Sequence, residues 1–242
     1  MKILDQIHGN SSPLETYKRI CVGNRGWLFF LYYECVTTLF TNIPGLLGIM
    51  FRRVFFKPLF KKIGKGTIFG SGISIRNPKS IELGKNVIFD SQCVIDAKNS
   101  EGVGISIGDN VFISRNVIMS GKNGMIEIGS DSSIGPNSVI HSVEECEVHL
   151  GRYNVIGAFC YFIGGGDYIS SDRSIPMAKQ GFKKGRPIVL EDDVWLGASV
   201  SLLEGSVISK GTVVGTNSVV KGQTEPYTIY VGNALATPIK KR

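Results

Sequence analysis

A six-residue period of apolar residues runs through most of this 242-residue chain. Between residues 63 and 220, 21 apolar positions form seven groups of three, with a spacing of six inside every group. Extra residues occur only between groups, and the largest gap separates positions 162 and 190. The repeated positions are Ile63, Phe69, Ile75, Leu83, Phe89, Ile95, Ile107, Ile113, Met119, Ile128, Ile134, Ile140, Leu150, Ile156, Phe162, Leu190, Leu196, Leu202, Ile208, Val214 and Val220.

This period predicts a triangular β-solenoid. Units of about six residues cannot bury their apolar side alone, so they are stable only when stacked on one another. Six residues form one short strand and a corner, and three such sides close a coil with the repeated residue inside. Small or β-branched residues two positions earlier suit a tight corner, as at Thr67, Val87 and Ser138. A sandwich of alternating strands is the alternative, but the constant spacing through seven groups disfavours it.

Glycine often follows the repeated apolar residue on the first two sides of each coil, as at Gly64, Gly135 and Gly197. We interpret these glycines as corners that need unusual backbone angles. The third side has no glycine there and takes every insertion, so we expect insertions to loop outward from that edge. The longest insertion predicts a loop at 163–189, and a loop of that length is usually functional.

The N-terminal segment, residues 1–62, differs from the repeat in charge and in apolar content. It carries nine Lys/Arg and three Asp/Glu, and its apolar run from Trp27 to Phe51 is interrupted at Pro44 and Gly45. Each half is too short to cross a bilayer, which needs about 20 apolar residues. We therefore expect two amphipathic helices that lie peripherally on the inner face of the cell membrane. The alternative is that this segment caps the first coil or packs on a partner subunit.

Composition excludes several other classes. The repeat region has a net charge close to zero, which argues against a nucleic-acid surface. The five cysteines lie far apart without the spacing of metal ligands, so no metal is expected. No signal peptide is visible, and a cytoplasmic location is the expectation.

Residues 187–198, in which Asp192, Asp193, Val194 and Trp195 precede an aliphatic residue and glycine, resemble a motif of the hexapeptide-repeat acyltransferases. The resemblance covers residues 63–242 as one acyltransferase domain with a C-terminal tail at 221–242. It implies an all-β solenoid, a left-handed parallel β-helix of about seven coils that assembles as a homotrimer, here after an N-terminal α-helical segment. The family usually has Gly-Asn-Pro-Ala near its end, and Ala234 replaces that proline here.

The resemblance also implies an activity: transfer of an acetyl group from acetyl-CoA to a hydroxyl of a sugar or glycan acceptor, as in sugar O-acetyltransferases. In similar enzymes the strand before the long loop ends in a histidine that acts as general base. In this register the position is occupied by Asp167. An aspartate has an ordinary pKa of about 3.9, against about 6.5 for histidine, so Asp167 would serve if burial raised its pKa. Otherwise His141 or His149 is the base, or the protein is an inactive trimeric scaffold.

For the acyl donor, the resemblance implies a groove between subunits in which backbone groups at Ala198 and Thr216 bind the pantetheine arm. Lys221 and Lys240 are expected to meet the nucleotide phosphates, and Trp195 is expected to pack within the fold. An N-acetyltransferase acting on an amino sugar is the closest rival. A zinc carbonic anhydrase of the same fold needs three histidines at the metal, and we reject it because His8 lies outside the repeat.

Overall fold

The computed structural model describes residues 12–98, 102–144, 146–183, 185–232 and 237–241, the last group as backbone only. The N-terminal part is helical, with α1 (Pro13–Val22), α2 (Trp27–Phe40), α3 (Gly45–Phe55) and a 3₁₀ helix (Lys57–Leu59). The sequence predicted only the second and third of these, separated at Pro44 as observed. The additional helix α1 has its own start signal, because the Ser12 hydroxyl accepts a hydrogen bond from the Glu15 N–H and Pro13 follows it.

Three parallel sheets form the sides of the solenoid. Up to β21, each strand pairs with the strand three places later in the chain, which lies on the same side of the next coil. The predicted seven-coil β-solenoid is confirmed. The first sheet contains β1 (Lys62–Ile63), β4 (Ile81–Leu83), β7 (Ile105–Ile107), β10 (Ile126–Ile128), β13 (Val148–Leu150), β16 (Ile188–Leu190) and β19 (Val207–Ile208). The second contains β2 (Ile68–Phe69), β5 (Ile88–Phe89), β8 (Phe112–Ile113), β11 (Ser133–Ile134), β14 (Val155–Ile156), β17 (Trp195–Leu196), β20 (Val213–Val214), β22 (Thr228–Val231) and the antiparallel β23 (Thr237–Lys241). The third contains β3 (Ser74–Arg76), β6 (Val94–Lys98), β9 (Ile118–Lys122), β12 (Val139–Val143), β15 (Tyr161–Gly164), β18 (Ser201–Leu202) and β21 (Val219–Val220).

The core is the column of repeated apolar residues inside the prism. All of the predicted inward positions are buried except Ile63, which is half-buried in the first coil. The stacking is direct: the rings of Phe69 and Phe89, in successive coils, are 5.3 Å apart and nearly parallel. The corner residues two positions earlier, such as Val87 and Ser138, are buried as predicted.

The role expected for the corner glycines is wrong. Gly135, Gly157 and Gly197 are not among the residues with a left-handed backbone. A Cβ on Gly157 would lie 2.7 Å from the Ala198 nitrogen of the next coil, so these glycines allow close stacking of successive corners. The left-handed residue comes two positions later and is often asparagine, as at Asn137 with φ of 60°.

The N-terminal helices cover the first coil. The Asn77 N–H donates to the carbonyl of Cys21 in α1 (2.7 Å), and the Tyr33 hydroxyl of α2 donates to the Ile75 carbonyl (2.7 Å). The Gly72 N–H donates to the carbonyl of Thr41, next to α2 (2.9 Å). The capping alternative is therefore correct for the inner side of these helices. None of the described helices combines the length and the apolar content of a membrane span.

Arg52 holds α3 to its neighbours. Its side chain is only 1% exposed and donates to four backbone carbonyls. Its Nε donates to the Phe69 oxygen in the first coil (2.9 Å). Its Nη1 donates to the oxygen of Phe40 (2.9 Å), the last residue of α2, and to those of Thr41 (3.3 Å) and Ile43 (2.8 Å) just after it. The guanidinium thus replaces the partners that the last carbonyls of α2 lack, and burial lowers its pKa.

Candidate functional site

The long insertion leaves the solenoid between β15 and β16, so the strands take up both ends of the predicted 163–189 loop. It forms an arm whose outgoing and returning segments contact each other. The Lys183 N–H donates to the Asp167 carbonyl (2.8 Å), and the rings of Tyr168 and Phe182 are 4.6 Å apart. A short helix α4 (Met177–Gln180) lies at its far end. The arm is therefore organised by its own contacts.

Asp167 lies where this arm begins. Gly165 and Gly166, both with positive φ, carry the chain from the end of β15 to Asp167. The Asp167 side chain is exposed in the single chain. Only a neighbouring subunit could bury it. Its role as general base remains a prediction.

The two alternative histidines have different surroundings. His149, outward on β13, is held by two carboxylates: its Nδ1 lies 3.1 Å from Glu127 Oε2 and its Nε2 lies 2.9 Å from Glu147 Oε2. Both ring nitrogens are occupied, which disfavours His149 as a base. His141, outward on β12, has no hydrogen-bond partner for its ring among the described residues, and burial together with the nearby Lys122 ammonium lowers its pKa. Its imidazole is therefore neutral at neutral pH and able to accept a proton.

The predicted donor positions Ala198 and Thr216 lie together. They occupy the same corner in successive coils, and the Asn217 N–H donates to the Ala198 carbonyl (2.9 Å). Their own N–H groups donate to no other residue in the described part of the chain. Two unpaired backbone donors, one coil apart, are suited to binding carbonyl oxygens of an extended ligand.

The structure describes the other residues predicted to bind the acyl donor in less detail. Lys221 is exposed directly after β21. Lys240 lies in β23, where only its backbone is described, and Ala234, Arg242 and His8 lie outside the described residues. Trp195 does not pack within the chain as expected: it is 55% exposed and lines a groove of about 370 Å³ with Tyr153, Val155 and Asp193. Sequence reasoning missed this because the outward position one residue before the core position looks the same whether or not a partner covers it.

The comparisons agree with the fold. A probable acetyltransferase of Mycobacterium tuberculosis is 30% identical over 138 residues, 57% of this chain and 44% of that protein. A variant of AntD, an N-acyltransferase from Bacillus cereus in complex with dTDP and coenzyme A, is 25% identical with a TM-score of 0.56 over 79% of this chain and 89% of that one. The polysialic acid O-acetyltransferase OatWY shares the fold, at 17% identity and a TM-score of 0.59 over 75% of this chain and 86% of that one.

No family model matches the chain. The matched part of the chain spans less than half the length of the first curated relatives. Within the described residues, no group of His, Cys, Asp and Glu side chains is placed to hold a metal ion. The seven-coil solenoid and the acetyltransferase relatives together confirm the resemblance of this chain to the hexapeptide-repeat acyltransferases.

Proposed function

We propose that this chain is an acetyl-CoA-dependent O-acetyltransferase that acts on a sugar hydroxyl of a cell-surface glycan precursor. The observation that carries the proposal is the pair of unpaired N–H groups at Ala198 and Thr216, on adjacent coils of an acyltransferase-like solenoid. The similarity to an N-acyltransferase in complex with coenzyme A supports the same donor. Lys221 and Lys240 are proposed to neutralise the nucleotide phosphates.

Asp167 is the proposed general base. As the acceptor oxygen attacks the thioester carbon, its proton passes to the Asp167 carboxylate and the carbon–sulfur bond breaks. The CoA thiolate leaves and takes a proton, so the products are the acetyl ester and free CoA thiol. The two preceding glycines leave space for the acceptor close to the backbone.

Acetyl transfer to an amino sugar is the second candidate, favoured by the similarity to AntD. An ammonium group loses its proton more readily than a hydroxyl, so transfer to an amine demands less of the base. The two products differ chemically. Release of acetate by mild alkali identifies an ester, and an alkali-stable product identifies an amide.

The activity test measures release of free thiol from acetyl-CoA with a pool of soluble and lipid-linked sugars. Loss of turnover in Asp167→Asn, with coenzyme A still bound, supports an aspartate base. Equal turnover in wild type and variant transfers the role to His141, and His141→Gln then tests it. If both proteins are silent, Asp167→His decides: a gain of activity indicates the inactive scaffold. Absence of coenzyme A binding overturns the proposal.

A homotrimer is proposed as the assembly. One column of outward residues on the second sheet is largely apolar and exposed, with Ile88, Phe112, Val155 and Trp195 interrupted by Ser133. Covering such a column by a neighbouring subunit removes apolar surface from water. Light scattering tests this: Trp195→Lys should shift the mass of the wild-type particle toward that of a single chain, and Lys85→Gln should not.

Peripheral contact with the inner face of the cell membrane is also proposed. On the side of α2 and α3 that faces away from the solenoid, large apolar residues are exposed, with Leu28 at 85%, Leu46 at 72% and Leu47 at 65%. Exposed Arg53 and Lys57 follow this apolar face. An apolar face with a cationic border fits the interface of an anionic bilayer.

Vesicle flotation tests membrane contact directly. The 242-residue protein should float with vesicles rich in phosphatidylglycerol and less with pure phosphatidylcholine. The double variant Leu28→Glu/Leu47→Glu should stay at the bottom of the gradient, whereas Ile175→Glu, an exposed apolar site on the loop, should float. Equal flotation of both variants would refute this location.

A further inference from the structure

Two lysines stand side by side on the third sheet, near the edge where the coils take insertions. Lys98 ends β6 and Lys122 ends β9, and the two are direct partners in the parallel register. Both side chains lie on the outer face, since their neighbours Ala97 and Gly121 are buried. Like charges directly opposite each other on a sheet are destabilising, so this pairing needs a compensating partner.

The neighbouring Asp96 carboxylate attracts both ammonium groups but offsets their repulsion only in part, because Arg76 and Asn77 share it. Neither Lys98 nor Lys122 forms an ion pair with a described residue, whereas the nearby Asp96 carboxylate lies 3.9 Å from Arg76 and accepts from the Asn77 amide (3.3 Å). Half-buried Arg19, in the last turn of α1, adds a third cation that repels the Lys98 ammonium. Burial is the main cause that lowers the pKa of Lys98; the Asp96 carboxylate opposes it, and Arg19 and Lys122 add to the lowering.

Lys98 and Lys122 belong to a row of outward residues that leads to the start of the long arm. Beyond Lys122, the row continues on the next strand with Val143, and a Cβ on Gly165 would lie 3.2 Å from the Val143 Cβ. Two strand spacings of about 4.8 Å separate Lys122 from this point, roughly 10 Å in all. Gly165 is two residues before Asp167, so the cations and the proposed base lie along one side of the solenoid.

The row beside it is polar and half-buried. Asp96, Ser120 and His141 are successive cross-strand partners on β6, β9 and β12, and the next residue in the row is Ile163 on β15. Hydroxyl, imidazole and carboxylate groups at strand spacing can bind successive hydroxyls of a carbohydrate. This row begins at Arg76 on β3, beside Asn77, which is bound to α1, and ends at the strand that carries the arm.

We propose that Arg19, Lys98 and Lys122 bind an anionic group, a carboxylate or a phosphate, of the acceptor sugar, and that Ser120 and His141 line the path from it to Asp167. An anion between these cations offsets their mutual repulsion and forms charge-assisted hydrogen bonds. The inference rests on the proposed acyl transfer and narrows its acceptor to an acidic sugar.

The test is equilibrium binding to full-length protein with three probes of similar size: glucuronic acid, glucose 1-phosphate and glucose. Saturable binding of one or both acidic probes, weakened by added salt, and none of glucose is the expected result. The two acidic probes also distinguish a carboxylate site from a phosphate site. Equal binding of all three, or binding of none, overturns the proposal.

Variants locate the site. Lys98→Gln/Lys122→Gln should weaken binding of the acidic probe at least tenfold, and the single Lys122→Gln variant should show part of the loss if the double variant unfolds. Lys65→Gln/Lys85→Gln removes two exposed lysines from a different corner and should leave binding unchanged. Equal affinity in the first double variant and this control refutes the assignment. Coenzyme A binding, measured in parallel, tests the proposed function separately: its loss alone would count against acyl transfer and leave the anion site standing.

Discussion

The replacement of Arg52 by Met should destabilise the N-terminal helices by about 3 kcal/mol. Methionine fills most of the space of the arginine stem but leaves four backbone carbonyls without a donor. Each buried unpaired group costs about 1–3 kcal/mol, and removal of the buried guanidinium returns part of this through its desolvation. For a chain of this size, about 3 kcal/mol lowers Tm by roughly 6–12 °C.

The two tryptophans allow the effect to be located. Trp27 lies in α2 and Trp195 in the solenoid, so urea unfolding followed by fluorescence in Trp27→Phe and Trp195→Phe backgrounds reports the two parts separately. Arg52→Met should shift the Trp27 transition to lower urea more than the Trp195 transition. Arg53→Met, an exposed neighbour, should change stability by less than about 0.5 kcal/mol. Equal midpoints for the Arg52 and Arg53 variants would refute the reasoning.

Three further outcomes follow from the described contacts. Gly157→Ala should destabilise the solenoid in urea, because the added Cβ meets backbone of the next coil, whereas Gly102→Ala, with open space around it, should be nearly neutral; equal costs would contradict the stacking role. Because the pKa of His141 is lowered in the folded chain, the unfolded chain binds the imidazole proton at higher pH, and the free energy of unfolding falls as pH drops below about 6.5. His141→Gln should reduce this fall in unfolding titrations between pH 7 and 5, and an unchanged slope would contradict it. A thiol reagent should label exposed Cys35 quickly and buried Cys93 only after denaturation, since burial raises the pKa of Cys93 to about 11; rapid labelling of both in native protein would contradict this.

The solenoid was predictable because its core obeys one local rule. Each repeated inward residue is fixed by its distance from the previous one, so the six-residue spacing located the central column of the core from Phe69 to Val220. The glycine at each corner was located but misinterpreted, since its constraint comes from a coil about 20 residues away. The asparagines with positive φ, such as Asn110, mark the left-handed corner residue directly in the sequence.

The candidate site depends on contacts between coils and was less predictable. Insertions of different lengths separate Lys98 from Lys122, so no constant spacing marks them as neighbours. The engagement of His149 by Glu127 likewise needs the register of β10 and β13. Helix α1 was missed because its ten residues include Lys18 and Arg19 and lack a continuous apolar stretch, although Ser12 and Pro13 marked its start.

The antiparallel pairing of β23 on β22 has a consequence for the whole particle. A stack of parallel strands ends in a row of unpaired N–H and C=O groups, which invites the first coil of another molecule to continue the stack. At the C-terminal end, a strand of opposite direction occupies the edge of the second sheet, and at the other end the helices cover the first coil. A chain shortened before Thr237 should therefore be prone to end-to-end polymerisation into fibres.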